Sequence, residues 1–129
     1  MEPPVDSLPY RRTLYRGGGG MWSWILHRGS GIAVLAFLFL HILDTATIAF
    51  GPRLYNTMAK FYELPLFRPL EVALMFFVIY HSFNGLRVIV IDFWSKGSQY
   101  QVLLGRAVMG ITMLLFIPAA FFMLRPLFI

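Results

Sequence analysis

Cysteine is absent from the 129 residues, which excludes a disulfide framework, a cysteine-ligated iron–sulfur cluster and a haem thioether within this chain. Charge is scarce too. Only 13% of the residues are charged, against roughly 25% in an ordinary soluble domain. Acidic residues number six and histidines three, so few side chains are left to carry acid–base or metal chemistry. The segment Met1 to Gly20 lacks any apolar run and holds Pro3, Pro4, Pro9 and four consecutive glycines, which does not read as a cleaved targeting peptide. No stretch outside the apolar runs is long enough to bury a soluble core.

What is abundant is apolar surface, 58% of residues, of which aromatics make up much: 17% of the chain. Such a chain is solvated by lipid. A bilayer core of roughly 30 Å needs about 20 apolar residues at about 1.5 Å per residue. Three stretches qualify, Gly29 to Phe50, Pro69 to Phe93 and Ala107 to the C-terminus, within helices expected over 24–50, 68–94 and 104–128. The fold class is therefore all-α, an integral membrane bundle of three transmembrane helices. Residues 1–22 form an expected N-terminal arm and residues 23–129 the membrane domain.

Basic residues orient the chain, because cytoplasmic flanks carry the excess. Arg11, Arg12, Arg16, Arg28, Lys96 and Arg106 fall on the N-terminal side, whereas Arg53, Lys60, Arg68 and Arg125 fall on the other. The N-terminus is expected in the cytoplasm, with Trp22, Trp24 and Trp94 as an aromatic belt at that face of the cytoplasmic membrane. The net charge of +5 is explained by this topology, so nucleic acid is not needed as a partner.

An ionisable group at the bilayer centre costs about 2.5–3.5 kcal/mol on insertion scales. His81 lies near the middle of the second span, with Gly85 one turn on along the same face, where a missing side chain leaves room for a flat macrocycle. Two readings stay open for it, metal ligation and a hydrogen bond to a neighbouring helix. His41 lies toward the outer end of the first span, about one turn nearer the external face than His81, and shares its face with Asp44 and Thr45. It too reads either as a ligand or as a His–Asp packing contact. At the opening of the first span, Arg28 suits a carboxylate or snorkels to headgroups, with His27 and Ser30 beside it. Arg87 and Asp92 in the second span read in the same two ways as Arg28.

His27-Arg28-x-Ser30-Gly31, then Leu40-His41-Ile42, then His81-x-x-x-Gly85-x-Arg87 followed by Asp92-Phe93 form a pattern over three spans. In this the chain resembles the cytochrome b membrane-anchor subunits of succinate dehydrogenase, in particular those of mycobacteria and other actinobacteria. The resemblance covers nearly the whole chain. It implies that His81 is an axial haem b ligand, that His41 ligates a second haem as in two-haem members, and that His27, Arg28 and Ser30 lie near propionates and an inner pocket. Single-haem relatives place a quinone-contacting serine where this chain has Trp24, which implies quinone, as menaquinone, reacting near the external face by Asp44, Arg68 and Glu71. The implied partners are a second membrane-anchor subunit supplying the other histidines, an iron–sulfur subunit and a flavoprotein that oxidises succinate. The succinate-oxidising site would lie outside this chain, which relays electrons to quinone. A reading from another class is a non-haem transporter subunit in which His41, Asp44, Glu71 and His81 pass protons.

Overall fold

The computed structural model describes residues 19–129. The N-terminal arm, with Arg11, Arg12 and Arg16, lies outside the described residues. Four helices follow: α1 over Gly19–Ala46, α2 over Pro52–Tyr62, α3 over Phe67–Phe93 and α4 over Gln101–Phe128. Stretches Gly20–Phe50, Phe67–Phe93 and Gly97–Phe128 are each long and apolar enough to cross a membrane, with mean hydropathies of 2.1, 1.7 and 2.3. Helix is the form such stretches take, because only internal hydrogen bonding satisfies a backbone surrounded by hydrocarbon.

The first helix starts at Gly19, five residues before the expected 24, so four residues of the expected arm are helical. Glycine has a low helix propensity, but Ser23 is tied to the neighbouring helix and holds this turn in place. At the far end α1 tightens into a 3-10 turn over Thr47–Phe50, where the Thr47 hydroxyl donates to the Asp44 carbonyl at 2.6 Å. Gly51 then adopts φ of 106°, a conformation open to glycine, and Pro52 begins α2 with φ already suited to a first turn.

The segment 51–68, expected as a plain loop, contains an 11-residue helix. Leu54, Tyr55, Met58, Phe61 and Tyr62 recur at helical spacing on one side of α2, with Arg53, Asn56, Thr57 and Lys60 on the other. That is the pattern of a helix lying along a membrane surface. Phe61 and Tyr62 meet Phe67 edge-on, with centroids 5.1 and 5.3 Å away, and so dock the end of α2 on the start of α3.

Helix α3 is the central element. It packs against both α1 and α4, which touch each other little. Trp94 leaves the helix in an extended conformation, and the chain folds back so closely that a Cβ on Gly97 would sit 2.8 Å from the Ile91 Cα. Pro118 is accommodated inside α4, as membrane helices allow when neighbouring groups absorb the freed carbonyl.

The interior is polar and the exterior apolar, the reverse of a soluble protein. Among the described residues the buried side chains are Tyr80 and Val108 with Ser30, Asn84 and Thr112. Large apolar side chains such as Phe39, Phe50, Leu114 and Phe121 are exposed all round the bundle. Helices in lipid gain little by burying Leu against Leu, so hydrogen bonds and small residues join them instead.

Candidate functional site

Three polar groupings sit at three places in the bundle. The first surrounds His81, at the middle of α3. Its Nδ1 lies 3.2 Å from the Ser30 hydroxyl and 3.2 Å from the His27 carbonyl oxygen, and the Ser30 hydroxyl donates to that same carbonyl at 2.9 Å. With the Ser30 proton committed to the carbonyl, both oxygens accept from His81 Nδ1–H. This tautomer puts the free lone pair on Nε2. The α1 helix comes this close because position 31 has no side chain: a Cβ on Gly31 would lie 3.0 Å from His81 Cε1. The His27 ring stacks on that of His81, 4.4 Å apart and within 8° of parallel, and its buried Nδ1 has no hydrogen-bond partner among the described residues. Along the same face of α3, a Cβ on Gly85 would meet nothing within 4 Å, so that face is open among the described residues.

His27, Ser30 and His81 are thus brought together, but differently from the expectation. His27 and Ser30 lie eight and eleven residues inside α1, about 12 and 16 Å beyond its start, and support His81 directly rather than lining the opening of the span. Arg28 points elsewhere, its guanidinium carbon 4.8 Å from the ring centre of Trp24, a cation–π contact. Trp24 is exposed and lines neither of the two cavities described below.

A second grouping opens toward the far end of α1, as a cleft of about 440 Å³ lined by His41, Asp44, Tyr62, Phe67, Leu70 and Glu71, among others. The His41 ring stacks on Phe37, one turn earlier, at 5.4 Å. No hydrogen bond joins His41 to Asp44 among the described residues, and Asp44 Oδ1 is buried without a partner. Thr45 does not line the cleft, whereas Tyr62, which the sequence did not single out, does. Arg68 pairs with Glu71 at 3.6 Å, both side chains about two-fifths exposed. Because His81 faces residues 27–31 of α1, His41 stands about ten residues further along, roughly 15 Å or nearly three turns, where one turn was expected. His81 therefore has no part in the cleft that gathers His41, Asp44 and Glu71.

The third grouping was not foreseen. Arg87 turns into the bundle: its Nη1 donates to Ser23 Oγ at 2.8 Å and to Asn84 Oδ1 at 3.2 Å, and its Nη2 to the Gln101 carbonyl at 3.0 Å. Tyr80 donates to the Ser23 carbonyl at 3.3 Å. This one arginine joins α1, α3 and the start of α4. The signal was present in the sequence as Tyr80, Asn84 and Arg87 at i, i+4 and i+7, a polar stripe in a span otherwise apolar.

Among the described residues no group of three or more His, Asp or Glu side chains converges as a metal site.

The chain matches, over residues 7–121, the family model described as the succinate dehydrogenase/fumarate reductase transmembrane subunit. It is 45% identical over 108 residues to the succinate dehydrogenase 2 membrane subunit SdhC of Mycobacterium tuberculosis, covering 84% of this chain and 79% of that one. It is 35% identical over 74 residues to the succinate dehydrogenase hydrophobic membrane anchor subunit of Halobacterium salinarum, covering 57% of each.

Proposed function

Because this membrane chain belongs to the succinate dehydrogenase/fumarate reductase transmembrane subunit family, we propose that it is the haem b-binding anchor of such a complex, relaying electrons toward quinone. The observation that carries the haem is the setting of His81. Its Nδ1 is engaged by the Ser30 hydroxyl and the His27 carbonyl, Nε2 keeps the lone pair, and Gly85 leaves the adjoining face of α3 open. A ligand histidine held through its other ring nitrogen is the usual arrangement at iron. When bound, haem supplies the one-electron chemistry; this chain orients the imidazole and excludes water from around it. Arg28, exposed beside Trp24, is the cation available to a propionate.

His41 is the proposed ligand of a second, outer haem. Its imidazole forms no hydrogen bond among the described residues, opens on a cleft, and stands about 15 Å along α1 from the level of His81, a separation that suits two redox groups in series across a bilayer. Quinone, as menaquinone, would react beside it, with Asp44 Oδ1, buried and unpartnered among the described residues, able to accept from a quinol hydroxyl and Glu71 and Arg68 at the rim. The second membrane anchor, the iron–sulfur subunit and the flavoprotein are the proposed partners, with the N-terminus on the cytoplasmic side. A transporter relay is disfavoured by family membership and by the distance between His81 and the other three groups.

A reduced-minus-oxidised spectrum of the purified complex tests this, with a b-type signal expected for the wild type. His81→Ala should lose the haem nearest α1 residues 27–31 while α3 persists, since alanine is a good helix former. Full haem content in His81→Ala would show the ligand assignment to be wrong.

A further inference from the structure

Arg87 carries a positive charge inside the bundle, six residues or about 9 Å from the end of α3, and among the described residues every acceptor it meets is neutral. Ser23 Oγ, Asn84 Oδ1 and the Gln101 carbonyl satisfy hydrogen bonds but leave the charge uncompensated. Among the described residues the ion pair within 4 Å is Arg68–Glu71, at the opposite end of α3, and Arg87 Nε is buried with no partner. A guanidinium held this way in a membrane protein calls for an anion.

A cavity of about 530 Å³ lies beside it, between α1, α3 and the start of α4. Arg106 also lines it, exposed, so two guanidinium groups of one sign share one opening. The rest of the wall is mostly apolar, with Leu26, Val102 and Met109 along it and Trp22, 62% exposed, at its mouth. Gly105 brings the α4 backbone alongside the guanidinium: a Cβ there would stand 3.5 Å from Arg87 Cζ, in van der Waals contact.

We propose that this cavity binds an anionic phospholipid, its phosphate on Arg87 and Arg106 and an acyl chain along Leu26, Val102 and Met109. A phosphate meets the charge requirement, and arginine recognises it in planar, two-point geometry. The apolar wall selects a lipid over free phosphate. The position does so as well: the cavity lies where α1 and α4 begin, beside Trp22, an aromatic of the kind that marks the headgroup level. A bound lipid here would join the three helices at the point where Arg87 already joins them.

Native mass spectrometry of the purified complex in nanodiscs provides the test, with discs of phosphatidylcholine alone, phosphatidylcholine plus phosphatidylglycerol, and phosphatidylcholine with inorganic phosphate in the buffer. The wild type should retain one acidic lipid per copy of this chain from the mixed discs. Arg106→Gln should reduce that retention roughly tenfold, the loss of one charge-assisted contact, and Arg87→Gln should reduce it further. Should Arg87→Gln fail to assemble, Arg106→Gln still decides, because its side chain is exposed. Equal retention of neutral and acidic lipid, unchanged retention in Arg106→Gln, phosphate binding in place of lipid, or a partner carboxylate cross-linked in the cavity would each overturn the proposal.

Discussion

The imidazoles of His27 and His81 lie face to face, 4.4 Å apart and within 8° of parallel, although they come from different helices. His81 is held not by the His27 side chain but by the His27 carbonyl and by Ser30, whose hydroxyl is anchored to that carbonyl. The backbone of α1 thus sets the tautomer of His81, and side-chain changes at position 27 leave that hydrogen bond in place.

The close fit at Gly31 gives a matched pair of substitutions. Gly31→Ala places a Cβ 3.0 Å from His81 Cε1 and should shift the ring, lowering haem per protein in the purified complex. Gly29→Ala meets nothing within 4 Å and should leave haem content intact while stabilising the helix by up to about 1 kcal/mol. Equal haem content in both variants would show that the distance between α1 and the His81 ring does not matter.

Gly97→Ala is expected to destabilise the assembled protein by roughly 1–3 kcal/mol, the range typical of overpacking. The added Cβ would lie 2.8 Å from Ile91 Cα and 3.2 Å from two backbone carbonyls, none of which is a flexible side-chain end. Thermal unfolding in detergent measures it; an unchanged midpoint would mean the turn can open freely.

Arg28→Ala should move the midpoint potential of the proposed haem at His81 more than that of the proposed outer haem, and lysine should restore only part of the shift, because a point charge does not replace a planar fork. A redox titration with both potentials unchanged would leave Arg28 with its Trp24 contact alone.

For His41 the expected result is a haem-to-protein ratio near two in the wild type, falling near one in His41→Ala with succinate-to-quinone turnover lost. A wild-type ratio near one would make His41 a wall of the cleft rather than a ligand.

The spans were legible because hydropathy alone dictates them, and the long apolar runs end within a few residues of where charge and Gly-Pro punctuation begin. His81 was legible as the ionisable group at mid-span. What surrounded it was not: Ser30 reads as part of a motif, and only packing shows that its hydroxyl faces His81. The role of Arg87 as a joint between helices was not legible, because its neutral partners Ser23 and Gln101 lie 64 and 14 residues away in sequence. Helix α2 escaped notice because 11 residues fall short of a span and its apolar face is too broken to read as a run.

The polar seam between α1 and α3 also sets a problem in time. Ser30 meets His81 across 51 residues, and Ser23 meets Arg87 across 64. At about 5–20 residues per second of synthesis, α1 therefore waits roughly 3–13 s before its hydrogen-bonding partners have been made. During that interval Ser23, His27 and Ser30 face either water, lipid headgroups or the insertion machinery. A ribosome stalled after α2 would thus leave in the membrane a helix in which Ser30 keeps its bond to the His27 carbonyl but Ser23 and His27 lack their partners on α3.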